Sequence, residues 1–239
     1  MNILKKLGVY VGISLLLLSG CSERSGSQAN KDPSQIASKP QSPKTPYQRR
    51  LEQANAGDTT AQFELANMYA TGDGVPQAEA EAVKWYRLAA EQGNELAQYN
   101  LGVIYSEGQG VVKDYVEAYT WYRLAAEQGS AAAQYNLGVW FDTGLGVPQD
   151  YAEAVKWYSL AAEQGNYFAQ YNLGLRHAMG EGVPQDTVAA YAWFSVAAAS
   201  GYADAAKNRD VSASQLSPDQ LLQAQQRATE LFEKFSSVK

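Results

Sequence analysis

The chain has 239 residues, 46% of them hydrophobic, which is ample apolar side chain for a globular core. Its formal net charge is −6, with 19 basic against 25 acidic side chains, so the basic density that draws nucleic acid or an anionic membrane surface is missing. With one cysteine and one histidine, the chain can form no internal disulfide and offers no Cys/His set for a metal.

The first residues read as a targeting segment. Lys5 and Lys6 precede about twelve apolar residues, Leu7 to Leu18, and the small residues Ser19 and Gly20 lead into Cys21. This is the plan of a secretory signal peptide over residues 1–20, too short for a transmembrane helix. Leu18-Ser19-Gly20-Cys21 resembles a bacterial lipobox, which implies cleavage before Cys21 and lipid attachment to it. Ser22 stands where aspartate is associated with inner-membrane retention, so the expected location is the outer membrane, facing the periplasm. Residues 21–46 then hold Pro33, Pro40, Pro43 and Pro46 among polar side chains, with Ile36 the single large aliphatic. Such a segment cannot bury enough surface to offset its ordering entropy. It reads as a tether, spanning roughly 25–30 Å on average.

From Tyr47 the chain repeats itself every 36 residues without insertion: Leu65, Leu101, Leu137 and Leu173, then Trp85, Trp121, Trp157 and Trp193, then the small pairs beginning at Ala89, Ala125, Ala161 and Ala197. A fixed period of this length marks a stacked array. Each unit reads as two helices. The first follows a cap candidate, Asp58, Asn94, Ser130 or Asn166, carries apolar residues at spacing four, and ends at a glycine suited to a left-handed C-cap, such as Gly108. The second opens at Asp114 or Asp150 with glutamate three residues on, the pattern of a capping box. Large rings then stand beside alanines, which is what two close-packed helices require.

The pattern Ala-x-x-x-Leu-Gly-x-x-Tyr-x-x-Gly-x-Gly-Val, followed by Ala-x-x-Trp-Tyr-x-x-Ala-Ala-x-x-Gly, resembles the Sel1-like repeat, a relative of the tetratricopeptide repeat. The resemblance implies an all-α, right-handed α-solenoid of four hairpins, at residues 58–93, 94–129, 130–165 and 166–201. Leu51, Ala54 and Gly57 match the end of a second helix, so residues 47–57 are expected to form an N-terminal capping half-repeat, and 202–239 the C-terminal caps. In the first unit the second helix shows Glu81, Lys84 and Glu91; in the fourth these places hold Ala189, Ala192 and Ala199. An uncovered apolar stripe is a liability, so the helix opening at Ser217-Pro218-Asp219-Gln220, with Leu221, Leu222, Ala228, Leu231, Phe232 and Phe235, is expected to cover it.

No catalytic constellation emerges. The Gly-x-Gly loops follow helices and lack a P-loop lysine, so they read as hairpin turns. Ser236 to Lys239 is the one Ser-x-x-Lys match, at the end of the chain where it cannot line a buried β-lactamase site. His177 stands where Tyr69, Tyr105 and Phe141 stand, a ring substituting for a ring or a polar residue turned to a partner. No cofactor or metal is implied. Trp140 aligns with Met68, Ile104 and Arg176, positions of changing character. If first helices line the concave face, as the resemblance implies, Trp140, Asp142, Arg176 and Met179 form a candidate partner-binding patch; alternatively, Trp140 packs between units. Aromatic and arginine side chains are the usual interface anchors. The resemblance implies a non-catalytic adaptor binding another protein of the periplasm or envelope, held to the membrane through Cys21. An immunity protein against a secreted lipase-type effector is one version of this. A glycan binder or a penicillin-binding or β-lactamase-like enzyme is the alternative class.

Overall fold

The structure is a computed structural model that describes residues 43–236. The signal peptide, Cys21 and most of the tether lie outside the described residues, as does Lys239. Among the described residues there are eleven helices and no strand. Helix α1 (Pro46–Asn55) stands alone. Four hairpins follow: α2 (Thr59–Thr71) with α3 (Glu79–Glu91), α4 (Glu95–Glu107) with α5 (Tyr115–Glu127), α6 (Ala131–Thr143) with α7 (Tyr151–Glu163), and α8 (Tyr167–Met179) with α9 (Thr187–Ala199). The chain then forms α10 (Ala203–Gln215) and α11 (Pro218–Ser236). From α1 to α10 each helix packs on its neighbour in sequence, the contact pattern of an α-solenoid, and α11 returns to pack on α9.

Local chemistry sets the boundaries. Asp58, Asn94 and Asn166 accept bonds from the backbone N–H of Ala61, Ala97 and Ala169, satisfying donors a helix start leaves free. Ser130 makes no such bond, contrary to expectation. The first helices end at glycines in the left-handed region, Gly108 at φ 77° for instance, where a side chain would strain the backbone. The two capping boxes close only halfway. Asp114 and Asp150 each cap two backbone N–H groups. Their own N–H groups already donate to Tyr105 O at 2.9 Å and Phe141 O at 2.8 Å, so the glutamates turn elsewhere: Glu117 to Arg87 and the Trp121 indole, Glu153 to Lys156.

Close approach explains the Leu-Gly pair. A Cβ on Gly138 would lie 2.5 Å from the Tyr158 ring, and one on Gly174 2.5 Å from the Phe194 ring. Glycine here lets a first helix receive the ring of its own second helix. A polar stitch, which sequence reading missed, runs between hairpins. Gln62, Gln98, Gln134 and Gln170 are buried, and each donates its amide to a carbonyl ending the preceding second helix: Ala54, Ala90, Ala126 and Ala162. Gln92, Gln128 and Gln164 in turn donate to the side-chain oxygens of the first three. Ser200 stands in that place in the fourth unit, and the Gln170 Oε1 is buried without a partner.

At the C-terminal end, α9 has no charged residue and packs against both α10 and α11. Ala189 and Ala192 are fully buried, whereas Ala199 is exposed rather than covered. Helix α11 buries Ala224 and Ala228 and stacks Phe235 on Trp193, centroids 6.0 Å apart. Leu222, expected among its buried residues, is exposed. The inward row runs Leu221, Ala224, Ala228, Leu231 and Phe235 at spacings of three and four, which puts Leu222 on the outer side.

Candidate binding surface

The patch read from sequence divides once the side chains are placed. Trp140 is only 5% exposed; it packs edge-on against Tyr122 at 5.4 Å and Tyr115 at 5.8 Å, inside a core cluster with Leu137. Arg176, one repeat later, is 8% exposed. Both belong to the seam between hairpins, not to a surface, which corrects the expectation that they anchor a partner. The physical reason is shared: a ring at the start of the preceding second helix covers this place, Tyr115 over Trp140 and Tyr151 over the Arg176 guanidinium at 4.9 Å.

Arg176 is held by carboxylates, its Nη1 lying 2.9 Å from Asp142 Oδ1 and 2.5 Å from Glu181 Oε2. Asp142 also accepts from the Tyr158 hydroxyl at 3.2 Å. Burial raises the Asp142 pKa, with Arg176 and the Tyr158 bond opposing the rise without cancelling it. A buried charge without its partner is costly, so Asp142, Arg176 and Glu181 are a structural unit. Met179 is within 3.8 Å of Arg176 Nη2 through its sulfur, and at 56% exposure is the one exposed member of the original four.

His177 is half-buried, its Nδ1 shut from solvent and unpartnered. Burial lowers its pKa first, then Arg227, with Asp186 opposing. Arg227 of α11 donates to Asp186 at 3.1 Å, so the imidazole lies where the C-terminal helix meets the last hairpin. Among the described residues no group of histidine, cysteine, aspartate and glutamate is placed to hold a metal ion. No described helix is long and apolar enough to cross a membrane.

The structure assembles a different aromatic surface that sequence reading did not identify. Tyr135 of α6, Tyr167, Phe168 and Tyr171 of α8, and Tyr202 before α10 form one ring network. Phe168 lies 5.8 Å from Tyr135, 4.2 Å from Tyr167 and 5.5 Å from Tyr202, and Tyr171 lies 4.9 Å from Tyr202. Phe168 is 39% exposed and the other four are half-buried. Partial burial, with neighbouring tyrosines, raises the pKa of Tyr135 and Tyr202, so the hydroxyls stay protonated donors at neutral pH. One signal was present in the sequence: Tyr202 falls at the cap position that holds Asp58, Asn94, Ser130 and Asn166, and it makes no side-chain cap. A residue that breaks a local rule without local gain marks a place where something else is being served.

Comparison with known proteins follows the same periodicity. Residues 59–94, 96–130, 131–166 and 168–202 match the Sel1 repeat. A protective antigen of uropathogenic Escherichia coli with this fold superposes at a TM-score of 0.70 with 35% identity, over 79% of this chain and 41% of that one. This chain thus spans less than half the antigen's length. A Sel1 repeat protein from Oxalobacter formigenes gives a TM-score of 0.61 with 39% identity, over 68% of this chain and 65% of that one. An immunity protein from Pseudomonas aeruginosa is looser, at a TM-score of 0.43 and 21% identity over 82% and 76% of the two chains. No curated protein matches the sequence closely enough to count as a relative.

Proposed function

Because the chain belongs to the Sel1 repeat family, whose members generally serve as non-catalytic scaffolds for other proteins, we propose that it is a lipid-anchored scaffold that binds a protein partner through the first-helix face of its third and fourth hairpins and the residues after them. The observation that carries this reading is the partly exposed ring network of Tyr135, Tyr167, Phe168, Tyr171 and Tyr202. Tyrosine and phenylalanine give large contact area at low entropic cost, and partly exposed clusters of them are where binding energy concentrates. The places of Tyr167 and Phe168 in earlier repeats hold Thr59, Glu95 and Ala131, or Thr60, Leu96 and Ala132, so repeat packing does not demand these two rings, whereas Tyr135 and Tyr171 stand at the repeating ring position of Phe63 and Tyr99. The lipobox-like segment ending at Cys21 supports attachment to the outer membrane with the solenoid facing the periplasm.

Two substitutions test the surface without attacking the fold. Phe168→Ala installs what the third repeat carries at this place, Ala132. Tyr202→Asn installs the cap residue found at Asn94 and Asn166 and should contribute about 1 kcal/mol of helix capping while deleting a ring. The full-length lipoprotein is crosslinked in intact cells and its partners compared between parent and double variant. Loss of one specific adduct at unchanged protein level supports the proposal. An unchanged adduct pattern refutes this surface.

A further inference from the structure

Thirty-six residues before Trp85 and Tyr86 stand Arg49 and Arg50, on α1. In the full repeats the second-helix tyrosine is buried together with the leucine of the next first helix: Tyr86 with Leu101, Tyr122 with Leu137, Tyr158 with Leu173. At the first seam, between α1 and α2, two guanidinium groups take the places of the ring pair. A cavity of about 510 Å³ remains there, lined by Arg49, Arg50, Gln53, Glu64, Met68 and Asp73 among others. Its size falls within the roughly 300–1,000 Å³ of small-ligand pockets.

The cations differ in availability. Arg50 is committed, with Nε 2.5 Å from Glu64 Oε2 and Nη1 3.4 Å from Gln53 Oε1. Glu64 stands where the later first helices carry Asn100, Asn136 and Asn172, so both the arginine and its counter-charge depart from the later repeats at this seam. Arg49 is exposed, and its guanidinium has no hydrogen-bond or ion-pair partner among the described residues. Because Gln53 accepts from Arg50 through its oxygen, its amide NH₂ remains to donate. Asp73 forms no ion pair among the described residues, leaving a carboxylate that can accept a backbone N–H. Met68 and Pro46 supply apolar wall. A guanidinium meets a carboxylate in a planar, two-bond fork. The cavity therefore offers one cation for an acid, one acceptor for an amide N–H and an apolar wall between polar groups.

We propose that this N-terminal cavity binds a short peptide segment bearing a carboxylate, anchored on Arg49 with its apolar side chain against Met68. The carboxylate comes from a chain terminus or from an acidic side chain, and three acetylated tripeptides separate the sources: acetyl-Ala-Ala-Leu as free acid, the same peptide as amide, and acetyl-Ala-Asp-Leu amide. Each is titrated to about 1 mM into the ¹⁵N-labelled full chain and its Arg49→Gln variant. The expected result is at least tenfold tighter binding of one acidic peptide than of the neutral amide, with shifted signals confined to α1, α2 and the turn that holds Asp73. Arg49→Gln removes that preference while leaving the rest of the spectrum in place, since Arg49 is exposed. Preference for the free acid assigns a chain terminus, and preference for the aspartyl peptide an acidic side chain. Equal binding of acid and amide, unchanged binding to Arg49→Gln, or no binding of any peptide overturns the proposal.

Discussion

The glutamine stitch makes a sharp prediction because one of its members is incomplete. Gln134 is 4% exposed; it donates to Ala126 O at 3.1 Å and accepts from Gln164 at 2.8 Å. Methionine at this place keeps the volume and removes both bonds. At about 1 kcal/mol net for each intramolecular hydrogen bond, Gln134→Met should cost about 2 kcal/mol. Gln170, 2% exposed, donates to Ala162 O at 3.2 Å, but its Oε1 is buried and unpartnered. Methionine there loses one bond of about 1 kcal/mol and also relieves a desolvated acceptor that costs roughly 1–3 kcal/mol, so Gln170→Met should be near neutral or stabilising. Ala126 O and Ala162 O each keep a second donor, Gly129 N and Gly165 N, so neither substitution orphans a carbonyl. Ser200→Gln should supply the missing partner of Gln170 and stabilise by about 1 kcal/mol. Urea unfolding followed by far-ultraviolet circular dichroism reads all three. Equal losses for Gln134→Met and Gln170→Met would show that the stitch is packing and not hydrogen bonding.

Three further outcomes follow from the same structure. Trp140→Ala should destabilise the chain by about 3–5 kcal/mol, the cost of a large ring removed from a core, and a variant as stable as the parent by thermal unfolding would return Trp140 to the surface. Burial pushes the Tyr122 phenol up to about 12, so the folded chain holds a proton that the unfolded chain releases near pH 10. Stability is then full below pH 10 and falls as pH rises toward 12; Tyr122→Phe should flatten that slope in unfolding measured across the range, and an unaltered slope contradicts the assignment. Burial and Arg227 lower the His177 pKa, so the neutral ring is the folded form. Its contribution is complete above the ordinary histidine value of about 6.5 and is lost as pH falls below it. His177→Phe, matching Phe141, should make stability less sensitive to acid between pH 7 and 5, and an identical pH profile would contradict this.

The periodic sequence determined the fold because each signal was local and repeated. Glycines at the hairpin bends, asparagine or aspartate at helix starts, and alanine beside ring act within one helix or between two adjacent ones, and the period carries them along the array. What faces solvent was different. Trp140 and Phe168 are both large rings on first helices, yet one lies under Tyr115 and the other is open. They stand at different places in the 36-residue register, Trp140 with Ile104 and Phe168 with Ala132, but residue type alone does not say which place the ring of the preceding hairpin covers. The variability at Met68, Ile104, Trp140 and Arg176 looked like adaptation to a ligand and is adaptation between repeats, with Arg176 compensated by Asp142 and Glu181. The N-terminal cavity was likewise out of sequence reach: Arg49 and Arg50 occupy the register of Trp85 and Tyr86, but the space they leave exists only between packed helices. Sequence fixes which residues a helix presents, and tertiary packing alone decides what meets them.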